Sequence, residues 1–394
     1  MIRVPATFRL PRTVWVLATV SLLNDAASEM IAPLLPLFLT ATLGAGPAVV
    51  GLVEGVAEAT SSVLKLFAGR LADRGTSQRA LVVGGYALAN AARPLMGLAG
   101  NWSHVLGLRF VDRIGKGLRT APRDALLARS VAPDLRGRAF GVHRSADHLG
   151  AMLGPLLAAG LLALAVPMRQ VFLLAGVVGT LVVAVAWAGL RDAPALPRAA
   201  PPPWLRWRDL AGRVRGLLVA VALFSAATVP EALVVLWAAE RGLGLVWVPI
   251  VWAAMHLVKS LATAPAGVLT DHWGAVRVLA LAWPARIVAL AALAFVPAEV
   301  GPVIAGFIAY GAVLAVAEPA ERALIAAHVR PEQRGTAYGW YYLLAGVGAL
   351  PGAAAIGWVW QVAGSRPAML AAAAASALAC ITAAAFARAA PRVA

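Results

Sequence analysis

Cysteine is almost absent. Cys380 stands alone among 394 residues, so no intramolecular disulfide can staple the chain, and thiols say nothing about its compartment. Charge is scarce as well: charged residues make up 13%, about half the share of a soluble domain. Acids are scarcer than bases, with 18 Asp and Glu against 34 Lys and Arg. The familiar catalytic signatures are missing too. There is no HExxH, no GxSxG, no nucleotide-binding glycine loop and no cluster of Cys and His, which removes zinc proteases, α/β-hydrolases and nucleotide-binding enzymes. His143 and Asp147 share a helical face, but His148 lies about 100° further round, so no acyltransfer or metal centre assembles there. No enzymatic activity, catalytic residue, metal or cofactor is expected.

Long apolar runs are what the chain has in quantity. Hydrophobic residues reach 61% and mean hydropathy is +0.79. Stretches of about 20 apolar residues, each enough to cross a bilayer core of about 30 Å, recur along the whole length. Twelve spans are predicted: 13–40, 47–70, 78–100, 102–130, 137–164, 169–190, 214–240, 246–271, 275–297, 301–328, 335–361 and 366–388. The first is too long for a signal peptide and is expected to be retained.

The formal charge of +16 invites a nucleic-acid reading, but its distribution argues against one. With the N-terminus and even-numbered loops inside, about twenty Arg fall on the cytoplasmic side and about three outside, the positive-inside bias. Both termini are therefore expected in the cytoplasm. The one long connection, 191–213, interleaves Trp204, Leu205, Trp207 and Leu210 with Arg206, Arg208 and Arg213. That pattern suits either a short helix on the anionic inner leaflet or a disordered linker.

The chain also repeats itself. Ala125 to Gly141 reads ALLARSVAPDLRGRAFG, and Ala323 to Gly339 reads ALIAAHVRPEQRGTAYG. More than half of the positions match, at an offset of 198 (Ala125 to Ala323). The same offset carries Asp73 onto Asp271, and Gly150 and Gly154 onto Gly348 and Gly352. Two homologous halves are a transporter signature. The predicted domains are an N-terminal six-helix bundle over 1–190, a cytoplasmic linker over 191–213 and a C-terminal bundle over 214–394.

Four features then carry a family resemblance. Gly69-Arg-Leu-Ala-Asp73-Arg74, and Gly267-Val-Leu-Thr-Asp271 in the second half, resemble a GxLaDrxGrk loop. Arg109-Phe-Val-Asp112-Arg113-Ile-Gly115 resembles an RxxqGxg motif, with Asp112 for Gln and Arg113 for Gly. Gly141-x8-Gly150-x3-Gly154-Pro155 resembles an antiporter motif, with Ala158-Ala159 for its final glycines. SEMIAPLLPLFL and DRIGKGLRTAPRDALL resemble a bacterial branch, and with the glycine motif the likeness is to a proton-antiporter-like one. By these residues the chain resembles the major facilitator superfamily over nearly its whole length. The resemblance implies an all-α membrane protein of twelve transmembrane helices in two pseudo-symmetric six-helix bundles, working by alternating access. It also implies that Asp73 and Asp271 latch the cytoplasmic side. A simpler role for both is to cap a helix N-terminus at a short turn.

Charges inside the spans complete the reading. An ionisable side chain near the bilayer centre costs at least about 2.5–3.5 kcal/mol, so each must face protein or a wet cavity. Asp25, Glu29 and Glu231 are mid-membrane carboxylates on helices that line the cavity in the family. Burial and neighbouring cations tune such a group's proton affinity, and the three are the expected proton-coupling set. Spacings of three and four align Arg109, Asp112, Arg113, Lys116, Arg119 and Arg123 in one stripe. Arg113, Lys116, His256 and Lys259, with Glu58, Arg144, Asp147 and Glu318, are the candidates for substrate binding. At the repeat offset Arg123-Asp124 falls on Glu321-Arg322 with each sign reversed. With Arg109, these form an expected cytoplasmic gate, or else each pair neutralises locally around a break at Pro122.

The function expected is secondary active transport in the bacterial inner membrane, as proton-coupled efflux of a small organic solute or drug. The alternative is proton-coupled uptake of a polar or anionic metabolite, and the more distant one a non-transporting receptor or scaffold. The expected partners are the solute, protons and the lipid bilayer. Nucleic acid is not among them, and a monomer is expected.

Overall fold

A computed structural model of the chain describes residues 10–73, 77–132, 135–191, 207–210, 212–329 and 334–389. Every element in them is helical. Twelve segments form the body of the multi-pass fold: α1 (Arg12–Thr42), α2 (Pro47–Asp73), α3 (Gln78–Leu95), α4 (Trp102–Arg129), α5 (Arg136–Ala163), α6 (Met168–Gly189), α7 (Val214–Glu240), α8 (Trp247–Trp273), α9 (Ala275–Leu293), α10 (Val300–His328), α11 (Arg334–Ala363) and α12 (Ser365–Ala389). Ten of them are long and apolar enough to cross a membrane. The other two, α3 and α4, hold polar side chains such as Asn90 and Arg93 and the charged stripe. Their polar residues face inward. In α4, Arg109, Asp112, Arg119 and Arg123 are buried while Phe110 is exposed. Leu164, Trp187, Leu261, Val288 and Ile381 likewise lie on the outside. Charge within and large apolar groups without is the arrangement a lipid solvent imposes.

Local chemistry sets the helix ends. Ser77 Oγ accepts from Ala80 N at 3.0 Å to start α3, and Asn101 Oδ1 accepts from His104 N at 3.1 Å to start α4. Gly44 after α1 and Gly242 after α7 have φ of 67° and 87°, a left-handed conformation that glycine adopts without cost. They stand 198 residues apart, so the repeat extends to its helix stops. α3 stops short of the predicted limit of 100: after Pro94 it tightens into a 3-10 turn, Met96–Leu98. α4 runs unbroken through Pro122, so there is no break there for charges to cap.

Two helices are interrupted in mid-span. α1 loosens at Ala32–Leu34, between Arg12–Ile31 and Leu35–Leu37, then ends in a π-helical turn, Phe38–Thr42. α7 is helical over Gly212–Ala226 and again from Glu231 to Glu240, with Ala227–Pro230 unwound.

The chain divides into two compact units, residues 1–32 with 67–201 and residues 33–66 with 202–394. In the first, α1 packs on α5 and α6, and α3 on α4 and α6. In the second, α7 packs on α11 and α12, and α9 on α10 and α12, the same scheme one repeat later. Gly150 and Gly154 of α5 sit against the carbonyls of Leu22 and Ala26 in α1. Gly348 and Gly352 of α11 sit against those of Ala222 and Ala226 in α7. A Cβ at any of the four would overlap the neighbouring backbone, so small residues fix both crossings. The first unit's core gathers Val14, Leu17, Tyr86, Leu127 and Val182. The second gathers Leu218, Val221, Ile325 and Tyr341.

In the central connection, Trp204, Leu205 and Arg206 lie outside the described residues, as does the Arg213 side chain. Trp207–Asp209 forms a single 3-10 turn. Trp207 packs edge-on against Trp340 at 5.6 Å, and Leu210 is buried in the second core. Protein contacts take up Leu210 and part of Trp207.

Candidate functional site

The first unit holds a buried polar network on α1, α3 and α4. Asp112 is its centre. Arg93 Nε lies 2.9 Å from Asp112 Oδ1, and Arg109 and Arg113 each approach Oδ2 to 3.6 Å. Arg93 Nη1 also donates to Asn24 Oδ1 at 2.9 Å and Asn90 Oδ1 at 3.2 Å. Three guanidiniums thus gather around one carboxylate, and Arg93 is shared between it and two neutral amides. Nearby, the Arg119 guanidinium lies 4.4 Å from the Tyr86 ring centroid, where α3 and α4 approach closely through Gly85 and Gly115.

Asp25 is half-buried on α1 and accepts from Asn24 Nδ2 at 2.9 Å. Glu29, one turn further, is also half-buried. Asp147 of α5 accepts from Ser21 of α1, with His143 at 3.5 Å and Arg144 at 3.4 Å. Lys116 is half-buried on the α4 stripe. Arg123 binds its neighbour Asp124 through two hydrogen bonds, the shorter 2.8 Å.

The second unit is built around the α7 break. Glu231 is the first residue of the second half-helix, after Pro230, where a carboxylate is favoured by the helix dipole. Lys259 of α8 reaches it at 2.5 Å. His256, one turn before Lys259, lies 5.3 Å from the Trp252 ring. Two carbonyls freed by the break, those of Phe224 and Val229, find side-chain donors. Arg286 Nη2 donates to Phe224 O at 2.8 Å and Thr228 Oγ1 at 2.6 Å, and Tyr310 Oη donates to Val229 O at 2.9 Å. Unwound backbone at membrane depth is tolerated only when it is satisfied in this way. Tyr310 is the repeat partner of Asp112, so matching positions carry an ion-pair hub in one unit and a backbone donor in the other.

Glu58, on α2, accepts from Ser62 Oγ at 3.1 Å. Glu318 pairs with Arg322, which also donates to Tyr342 Oη at 2.7 Å. Glu321 accepts from Tyr341 Oη at 2.8 Å and Trp283 Nε1 at 3.2 Å. The Asp73 side chain and Arg74 lie outside the described residues. Asp271 is exposed in the last turn of α8, and α9 starts from Gly274 with no side-chain cap. The expected N-terminal cap at Asp271 is therefore corrected: α8 continues two residues past it, to Trp273.

Sequence reasoning named Glu231 and Lys259 in separate roles, and the fold brings them together. It missed Arg93, Asn24 and Asn90, whose partners lie on other helices. It missed Tyr310, Tyr341 and Trp283 because hydropathy counts them as apolar, although each carries a donor.

Comparison with known proteins settles the class. The sequence matches the family model of the Major Facilitator Superfamily over residues 17–298 and 253–394. It is 27% identical over 361 residues to an MFS-type transporter of Methanocaldococcus jannaschii, covering 90% of this chain and 89% of that protein. A shorter match, 31% over 148 residues, is to the multidrug resistance protein MdtH of Aeromonas hydrophila, covering 38% of this chain and 37% of that one. Among solved structures, a bacterial homolog of the human lysosomal transporter Spinster has a TM-score of 0.78 at 15% identity, covering 95% of this chain and 96% of that one. The chain belongs to the major facilitator superfamily.

Proposed function

We propose that this transporter exports a small organic solute in exchange for protons by alternating access, in a bacterial inner membrane, with both termini cytoplasmic. The observation that carries the reading is the Glu231–Lys259 pair, a carboxylate and an ammonium 2.5 Å apart beside an unwound stretch of membrane helix. Two opposite charges in contact at this depth offset part of each other's cost. Protonating Glu231 releases Lys259 for a polar group of the solute or for water, and losing the proton re-forms the pair. That exchange is what an antiporter needs, one occupant at a time. Asp25 and Glu29 offer a second carboxylate pair, on the helix that α5 grips through Gly150 and Gly154. The glycine motif and the partial likeness to a multidrug resistance protein favour export over uptake. Bundles over 1–190 and 214–394 would be the moving bodies, in a monomer that needs only solute, protons and lipid.

The test is flux in proteoliposomes under an imposed pH gradient, with internal pH followed by a trapped dye while candidate solutes are added. Glu231→Gln, Asp25→Asn and Glu29→Gln should reduce gradient-driven exchange while leaving the fold intact. If all three, singly and combined, keep full pH-driven flux, these residues are not the coupling site.

A further inference from the structure

The second unit contains a cavity of about 170 Å³ among α7, α9, α10 and α11, with Phe224, Trp283, Arg286, Glu318, Glu321 and Tyr341 in its wall. It is smaller than the 300–1,000 Å³ typical of drug-sized pockets. Two of its charged groups are buried, Arg286 at 9% exposure and Glu321 at 8%. Each is held by neutral partners only. Arg286 donates to a carbonyl and a hydroxyl, and its Nε has no hydrogen-bond partner among the described residues. Glu321 accepts from an indole and a phenol. Neither takes part in an ion pair among the described residues. Glu318, by contrast, is engaged with Arg322.

A buried cation and a buried carboxyl facing one small space, each lacking a counter-charge in contact, make a dipolar site. Burying a charge is costly unless it is paired. A ligand bearing both signs would complete both pairs at once. Arg286 and Glu321 act on each other across the cavity without touching; a simple amine would still meet Arg286, and a simple acid Glu321 and Glu318, so each single-charge ligand is selected against. The Phe224 and Trp283 rings, whose centroids are 4.4 Å apart, give the remaining wall an apolar, polarisable face.

We infer that this cavity binds a small zwitterion of amino-acid type, its carboxylate on Arg286 and its ammonium on Glu321. The inference deepens the export reading by naming the class of solute. It is tested by equilibrium binding without any gradient, so its failure and that of proton coupling are read separately.

The experiment uses the purified full chain in detergent. L-Alanine, L-phenylalanine, β-alanine and γ-aminobutyrate are added at millimolar concentration, each beside its methyl ester and its N-acetyl form. Thermal unfolding and tryptophan fluorescence are the readouts. At least one zwitterion should bind, and its ester and N-acetyl derivative should each bind about tenfold more weakly or worse, because each leaves one buried group unpaired. Glu321→Gln should reduce zwitterion binding by a similar factor. The assignment is overturned if no zwitterion binds, if the singly charged analogues bind as tightly as their parents, or if folded Glu321→Gln binds unchanged. Should Glu321→Gln fail to fold, the discrimination shown by the unsubstituted protein decides alone.

Discussion

Arg93 of α3 meets Asp112 of α4 through one hydrogen bond of 2.9 Å, with side-chain exposures of 5% and 1%. The same guanidinium reaches Asn24 of α1, so one side chain ties three helices of its unit together. Arg109 and Arg113 add charge around Asp112 but lie further off. Arg93 is therefore the group whose loss the network feels most.

Arg93→Met should destabilise the protein by about 3 kcal/mol, the lower end for breaking a buried pair, because two guanidiniums still face Asp112. The double variant Arg93→Met/Asp112→Asn should lose less than the sum of the single losses. Denaturant unfolding across the full mutant cycle measures that coupling. Strictly additive losses would mean that the two side chains do not support each other.

Glu231 and Lys259 should separate stability from transport. Lys259→Met removes the cation nearest Glu231, and Glu231→Gln the carboxylate nearest Lys259, so each single variant should unfold more readily. Glu231→Gln/Lys259→Met should regain most of the stability and none of the gradient-driven flux. Recovery of flux in the double variant would assign the pair a packing role alone.

Gly154→Val and Gly352→Val should each cost about 1–3 kcal/mol through overpacking, since the added Cβ meets the carbonyl of Ala26 or Ala226. Gly107 of α4 faces open space. Gly107→Ala should instead stabilise by about 0.5–1 kcal/mol, the helical penalty of glycine. Melting temperatures of the three variants, taken side by side, give the contrast.

Tyr310→Phe removes the donor to Val229 O and leaves that carbonyl unsatisfied at membrane depth. The cost should be about 1–3 kcal/mol, with faster amide exchange confined to the residues around the α7 break. Exchange unchanged around Ala227–Pro230 would show that the carbonyl has another source of support.

Most of the fold was legible because lipid demands long apolar runs, and those are visible in one dimension. The exceptions are instructive. α3 and α4 do not meet the length and apolarity of a membrane span because their polar residues serve the interior, yet 78–100 and 102–130 read as apolar runs with the rest. The candidate site was legible as a set of charges, not as pairs. Glu231 and Lys259 are 28 residues apart and Arg93 and Asn24 are 69 apart, and no local pattern records such contacts. Asp271 misled for the opposite reason: a turn-like motif was read as a helix start, while the helix before it continued to Trp273.

The stitching of the α7 gap has a mechanical consequence. A helix with four unwound residues could bend freely there if its open carbonyls were answered by water. Two of them, Phe224 O and Val229 O, are answered by Arg286 of α9 and Tyr310 of α10 instead, so bending α7 at that joint pulls on both neighbours. The gap is thus a braced joint, its bending coupled to α9 and α10. Freeing the joint requires Arg286 and Tyr310 to let go together.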